Sequence, residues 1–97
     1  METGLGLIAN ERYEKQILKH GFTGQDQATH PEFYDKGQLI EASIKLSYTI
    51  ANDDPPENWD QRRFSKLCAK SHKERLVISG ALICGELDRL IWLENNP

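Results

Sequence analysis

Three carboxylates stand where helical chemistry could use them. Glu41 follows Gln38 at i+3, and Glu86 and Asp88 lie near the end of the chain. Acidic side chains three apart share one helix face. Two such pairs on facing helices can hold Mg2+ against phosphate oxygens and activate a water. Each pair is incomplete here. Gln38 is neutral, the position three after Glu86 is Arg89, and Glu86 and Asp88, two apart, point about 200° away from each other. Glu41 with Glu86 or Asp88 is the most that a Mg2+ site could draw on. The competing expectation is an ion pair of Glu86 with Arg89, since an unpaired buried acid would cost several kcal/mol.

Other reactive types are more scattered. Asp26 and His30 could share a cation only if their segment folds to bring them together. Cys68 and Cys84 have no CxxC spacing and no neighbouring base. Two cysteines in apolar helical patterns make no disulfide framework, and free thiols of this kind fit a reducing cytoplasm. No serine sits in a strand–turn–helix elbow, and Gly4-Leu-Gly6 is no phosphate loop. The expectation is no resident metal and no cofactor.

Charge is uneven. Residues 1–61 hold five Lys/Arg against eleven Asp/Glu, whereas residues 62–75 hold six Lys/Arg against Glu74 alone. Arg62, Arg63, Lys66, Lys70 and Lys73 could contact phosphate or nucleic acid. The acidic remainder would repel a polyanion, so nucleic acid is disfavoured. Pairing of the basic stretch with the acidic residues of 52–60 and with Glu41 is expected instead.

The elements that must position these residues read as helices at about 7–20, 36–51, 60–70 and 72–94, in one domain spanning 1–97. Tyr13 and Ile17 lie at helical spacing in the first, and Gly21 follows its last turn where a left-handed residue is wanted. Residues 23–30 read as a loop too polar to bury. Thr29-His-Pro-Glu32 and Ser71-His-Lys-Glu74 have the form of capping boxes, the first leading a short turn at 31–34. Leu39, Ser43, Leu46 and Ile50 with Ile40, Ile44 and Ser47 make a broad apolar face. The segment Asn52-Asp-Asp-Pro-Pro-Glu-Asn58 breaks the helix. Nothing reads as a strand. The longest uncharged run, residues 76–85, is half of a membrane span, and the first residues lack a basic stretch followed by an apolar one, so neither a membrane anchor nor a leader is expected.

Leu76, Ile83 and Leu90 recur every seven residues in the last helix, with Gly80 and Leu87 on the same side; Val77, Ala81, Cys84 and Ile91 run beside them. That face is too wide for one partner helix. Two interior glycines cost about 1 kcal/mol each against alanine, which close helix contact would offset. The expectation is antiparallel pairing with the 36–51 helix, the first helix and Trp59 on the flanks, and a homodimer contact through Gly80, Ala81, Cys84, Gly85 and Trp92, with Leu93 beside it. A chain of 97 residues has little core to spare.

Several blocks together carry a resemblance: Glu11-Arg-Tyr-Glu-Lys-Gln-Ile17, Gly21-Phe-Thr23, Gly37-Gln-Leu-Ile-Glu-Ala42, Trp59, Glu74-Arg-Leu-Val-Ile-Ser-Gly-Ala-Leu-Ile83 and Glu86-Leu-Asp-Arg-Leu90. In this order they resemble a family of small uncharacterised proteins of phages, prophages and other mobile elements, integron gene cassettes included. The chain departs at Gln38, where that family usually has Glu, and at Asp26 and His30, where many relatives carry a tighter His-Asp cluster. The resemblance implies an all-helical fold and a mobile-element origin, and no activity. The nearest enzymatic comparison is with MazG-type all-α nucleotide pyrophosphatases, whose E-x-x-E pair would fall on Gln38 and Glu41 and whose E-x-x-D pair has its nearest equivalents in Glu86 and Asp88, with Arg89 standing where the second acid should fall.

The expectation is therefore an all-α, small antiparallel helical bundle with a long C-terminal helix. It would act as a non-enzymatic interaction module, a homodimer with an unidentified protein partner. The alternatives are a Mg2+-dependent nucleotide pyrophosphohydrolase and a phosphate-contacting protein.

Overall fold

In the computed structural model, which describes residues 2–97, Thr3 is extended and its hydroxyl accepts from the Gly6 amide (3.0 Å), which starts α1 (Gly4–Asn10). The rod continues through Glu11–Lys19 in wider π-type turns; the His20 amide closes on the Lys15 carbonyl, five residues back (3.2 Å). Gly21, at φ +73°, ends it with its amide on the Ile17 carbonyl (2.8 Å), and the Phe22 ring stacks on His20. The first helix thus begins earlier than its apolar spacing indicates, because Thr3 supplies a cap.

The polar stretch expected as a loop contains a helix, α2 (Gly24–Ala28). Thr23 caps it through its hydroxyl and the Asp26 amide (3.0 Å). Gln27 is buried, so polarity did not keep this segment out. The capping box read at Thr29 does not form: that hydroxyl donates back to the Gln25 carbonyl (2.8 Å). Pro31 opens the short α3 (Pro31–Tyr34) behind His30 instead.

Gly37, at φ +74°, separates that turn from α4 (Gln38–Ser47), which is shorter than expected at both ends. Its exit is taken over by Arg75. The buried guanidinium donates to the carbonyls of Leu46 (3.0 Å), Tyr48 and Thr49 (2.8 Å), and its Nε to Lys70 (3.1 Å). A cation thereby satisfies the carbonyls that a helix end leaves open. Asp60 caps α5 (Gln61–Cys68) by accepting from the Arg63 amide (2.8 Å). Ser71 caps α6 (His72–Asn95) by accepting from the Glu74 amide (3.2 Å), as the box predicts.

The helices α4 and α6 run antiparallel: Ser43 meets Ser79, while Leu46, further along α4, meets Arg75, earlier in α6. At the crossing the two hydroxyls are 2.7 Å apart, and Ser79 also donates to the Ser43 carbonyl (2.7 Å). Leu39, Ala42 and Leu46 of α4, Phe64 of α5 and Ile78 and Leu82 of α6 form the core. Full burial of each large side chain contributes about 1.5–3 kcal/mol. Tyr34, Trp59 and Phe64 meet edge to face over one end of it, and the Trp59 indole donates to the Phe33 carbonyl (2.8 Å). The segment Glu11–Lys19 and α2 cover the other flank of α6. No strand occurs among the described residues, and no helix is long and apolar enough to cross a membrane.

Candidate interaction surface

Two sides of α6 flank the row that faces α4, and they are treated differently. On one side the small residues admit the chain's own segments. At the edge of that side Gly80, which shares its row with Leu76, Ile83, Leu87 and Leu90, lies so close under Ile8 of α1 that a Cβ there would come within 2.6 Å of it. Ala81 is fully enclosed. Gln27 and Arg12 lie across Gly85, where a Cβ would sit 3.1 Å from the Gln27 amide nitrogen and 3.5 Å from Arg12 Nη1. Gly24 meets the Asp88 carbonyl, which a Cβ at residue 24 would approach to 2.5 Å. The close approach implied by the glycines is thus made within one chain. Of the residues assigned to a dimer contact, Ala81 and Gly85 are closed off from solvent, Gly80 lies under Ile8, and Cys84 and Trp92 are half-buried.

Arg12 organises this closed side. Its Nε donates to Asp88 Oδ2 (2.9 Å) and its Nη1 to the Phe22 carbonyl (2.7 Å) and Gln16 Oε1 (3.3 Å). Nη2 is 2.8 Å from Asp88 Oδ2 yet makes no aligned hydrogen bond, so charge and the Nε bond hold the pair. Gln27 Oε1 is buried without a partner. Sequence reasoning did not single out Arg12, Gln16 and Gln27. The i, i+4 spacing of Arg12 and Gln16 was the available signal, and it is silent on burial.

The other side is open except at Gly80, which Ile8 covers. Leu76, Ile83, Leu87 and Leu90 are between 42% and 55% exposed. On α4, Ile40 is 36% exposed and Ile44 49%. Each helix presents these residues one step after its buried row, Leu39 and Ser43 in α4 and Arg75 and Leu82 in α6. In an antiparallel pair that step turns both helices toward the same edge. Six aliphatic side chains therefore form one face across two helices. The charged residues of that part of α6 point elsewhere: Glu86 and Arg89 pair with each other, and Asp88 turns to Arg12.

The candidate metal ligands are all engaged, and Glu41, Glu86 and Asp88 not with one another. Glu41 accepts from Lys45 (2.9 Å). Glu86 accepts from Arg89 at both oxygens (2.6 and 3.0 Å), and this hydrogen bonding raises the Arg89 pKa. The Nδ1 of His30 lies 2.7 Å from the Asp26 carbonyl and 3.4 Å from its carboxylate; the contact with the carbonyl is the main cause that raises the His30 pKa. Among the described residues no three His, Cys, Asp or Glu side chains are grouped to hold a metal ion.

The basic stretch does not pair with the acidic loop as expected. Asp54 approaches Lys45 (4.0 Å), Glu57 binds Lys36, and Asp60 is used as a cap. Lys70 reaches Glu74 (3.9 Å) and Lys73 reaches Glu2 (3.5 Å), while Arg75 is turned inward. Arg62, Arg63 and Lys66 are exposed, with no carboxylate within 4.0 Å among the described residues. A groove of about 510 Å3 beside the start of α6 mixes Lys15, Lys19, Lys70 and Lys73 with Glu2, Glu11 and Glu74, which offset most of that charge. No protein-family model, curated protein or solved structure matches the chain.

Proposed function

We propose that this chain is a non-enzymatic helical interaction module, an accessory protein of a mobile element that works in the cytoplasm by offering the open α4–α6 face to a protein partner. Its main support is the six-residue uncharged aliphatic face, half-exposed on two helices fixed by a buried core. Contiguous apolar exposure of this kind marks contact surfaces. The sequence blocks described above support the mobile-element origin, and the free thiols Cys68 and Cys84 support the compartment.

Ile44→Lys and Leu87→Lys test the assignment of the face. A contact surface tolerates them: each variant keeps the helical circular dichroism and cooperative melt of the parent at low concentration. Unfolding as severe as that of Leu46→Ala would make the face part of the chain's own core and defeat the proposal. A melt screen with Mg2+ or Mn2+ and nucleoside triphosphates tests the non-enzymatic half. Ligand at a hundred times its dissociation constant adds about 2.7 kcal/mol, so a metal-dependent nucleotide shift lost in Glu41→Ala would reinstate the pyrophosphohydrolase.

One observation favours a second reading. Arg62, Arg63 and Lys66 stand exposed without carboxylate partners among the described residues, as an anion contact would need. Affinity for an oligonucleotide that falls steeply with salt and is lost in the Arg62→Gln, Arg63→Gln double variant would establish it.

A further inference from the structure

We infer that the groove bounded by the α1 rod, the end of α5 and the start of α6 binds an aliphatic molecule that carries one carboxylate. This groove opens on another side of α6 from the α4–α6 face, so the two sites have separate occupants. Its floor is apolar. Leu7 of α1, Leu67 of α5 and Val77 of α6 are half-buried there, and Ile78 is buried. The volume of about 510 Å3 falls within the range of about 300–1,000 Å3 that small-molecule sites occupy. No Phe, Tyr or Trp lines it among the described residues, so a saturated chain fits this floor better than a planar ring that needs stacking.

Charge sets the other half of the ligand's chemistry. The four lysines of the lining face three glutamates, which leaves one positive charge in excess. Lys15 has Glu11 at 3.6 Å, Lys70 has Glu74 at 3.9 Å and Lys73 has Glu2 at 3.5 Å. Those pairs are long and their lysines exposed, so each holds its lysine weakly. Lys19 and its neighbour His20 have no carboxylate within 4.0 Å among the described residues, and the excess therefore sits with them. Ser71 also lines the groove, and the start of α6 there adds the positive end of a helix dipole. A single carboxylate brings this lining to neutrality. An aliphatic cation meets like charge, and a polyanion meets Glu2, Glu11 and Glu74.

Amide NMR spectra of the full 15N-labelled chain, recorded as decanoate is added up to about 5 mM, test the assignment. Saturable shifts are expected at Leu7, Lys19, Ser71 and Val77, with a dissociation constant on the order of 0.1–1 mM. Decyltrimethylammonium, with a similar chain and the opposite charge, should bind at least about 10-fold more weakly. Lys19→Glu should weaken decanoate by about the same factor, and Lys19→Arg should keep it. Lys19 is exposed, so both variants retain the parent's helical circular dichroism. The absence of a saturable shift with decanoate overturns the inference. Equal binding of decyltrimethylammonium, or decanoate binding indifferent to Lys19→Glu, overturns it as well, because apolar contact alone would then account for the affinity. Shifts centred on Ile83 and Leu87 would put the chain on the α4–α6 face and overturn it too.

Discussion

The two flanks of α6 differ in side-chain size and in fate. One carries Ala81 and Gly85 and is filled by Gln27 and Arg12 of the same chain. The other carries Leu76, Ile83, Leu87 and Leu90 and stays half-exposed. Small residues let a neighbouring backbone approach, so short segments with little apolar surface of their own can be held there by close contact and by the Arg12–Asp88 pair. Large residues keep neighbours at a distance and need another large apolar surface to cover them. Leu39, Ala42 and Leu46 of the neighbouring α4 do not cover them, because they face the core.

The largest effect that would test this contrast is Gly85→Leu. A leucine side chain on the closed side collides with Gln27 and Arg12 and should destabilise the fold by about 3 kcal/mol, lowering Tm by roughly 12–24 °C at this size. A change of less than about 1 kcal/mol would mean that the side is loosely filled. Asp88→Ala comes next. It leaves the buried Arg12 guanidinium without its counter-charge. Because the Asp88 side chain is 43% exposed, the cost should be about 1–2 kcal/mol, well below that of breaking a fully buried pair. A denaturant titration measures it. Leu87→Lys on the open side should change the stability of the dilute monomer by no more than about 0.5 kcal/mol. A larger loss would show that side to be filled too.

The smallest effect concerns α2, the helix that lies over Gly85. Its end is tied by His30 to the Asp26 carbonyl and carboxylate, contacts that raise the His30 pKa above 6.5. The charged imidazole therefore contributes stability that is fully present below pH 6.5 and is lost as pH rises through the higher folded value. His30→Ala should lower Tm slightly at pH 5.5 and leave it unchanged at pH 8.5. Equal effects at both values would assign His30 a role independent of its charge.

Some of the fold was legible because local chemistry alone decides it. Ser71 with Glu74, Pro31 in the first turn of its short helix and Gly21 after His20 act within one turn, and the structure agrees at each. The pairing of Glu86 with Arg89 was legible for the same reason, since i, i+3 neighbours on a helix meet whatever surrounds them. Thr29 shows the limit. Two segments compete for its hydroxyl, and the preceding helix wins. Residues 24–28 were misread because a polar segment of five residues shows no apolar period, and its burial depends on a glycine contact with Asp88, sixty-four positions away.

By itself, then, the sequence determined the helical class, the long last helix and its caps, because propensity, capping and 3.6-residue periodicity are local properties. The tertiary structure decided which apolar face of that helix is closed and which is open. Both faces bear the same periodic signature, and only the positions of α1, α2 and α4 around the helix consume one and leave the other. It also decided the fate of the charges. Glu41 could have shared a cation with Glu86 or Asp88, but each of the three is held by its own basic partner, Lys45, Arg89 and Arg12.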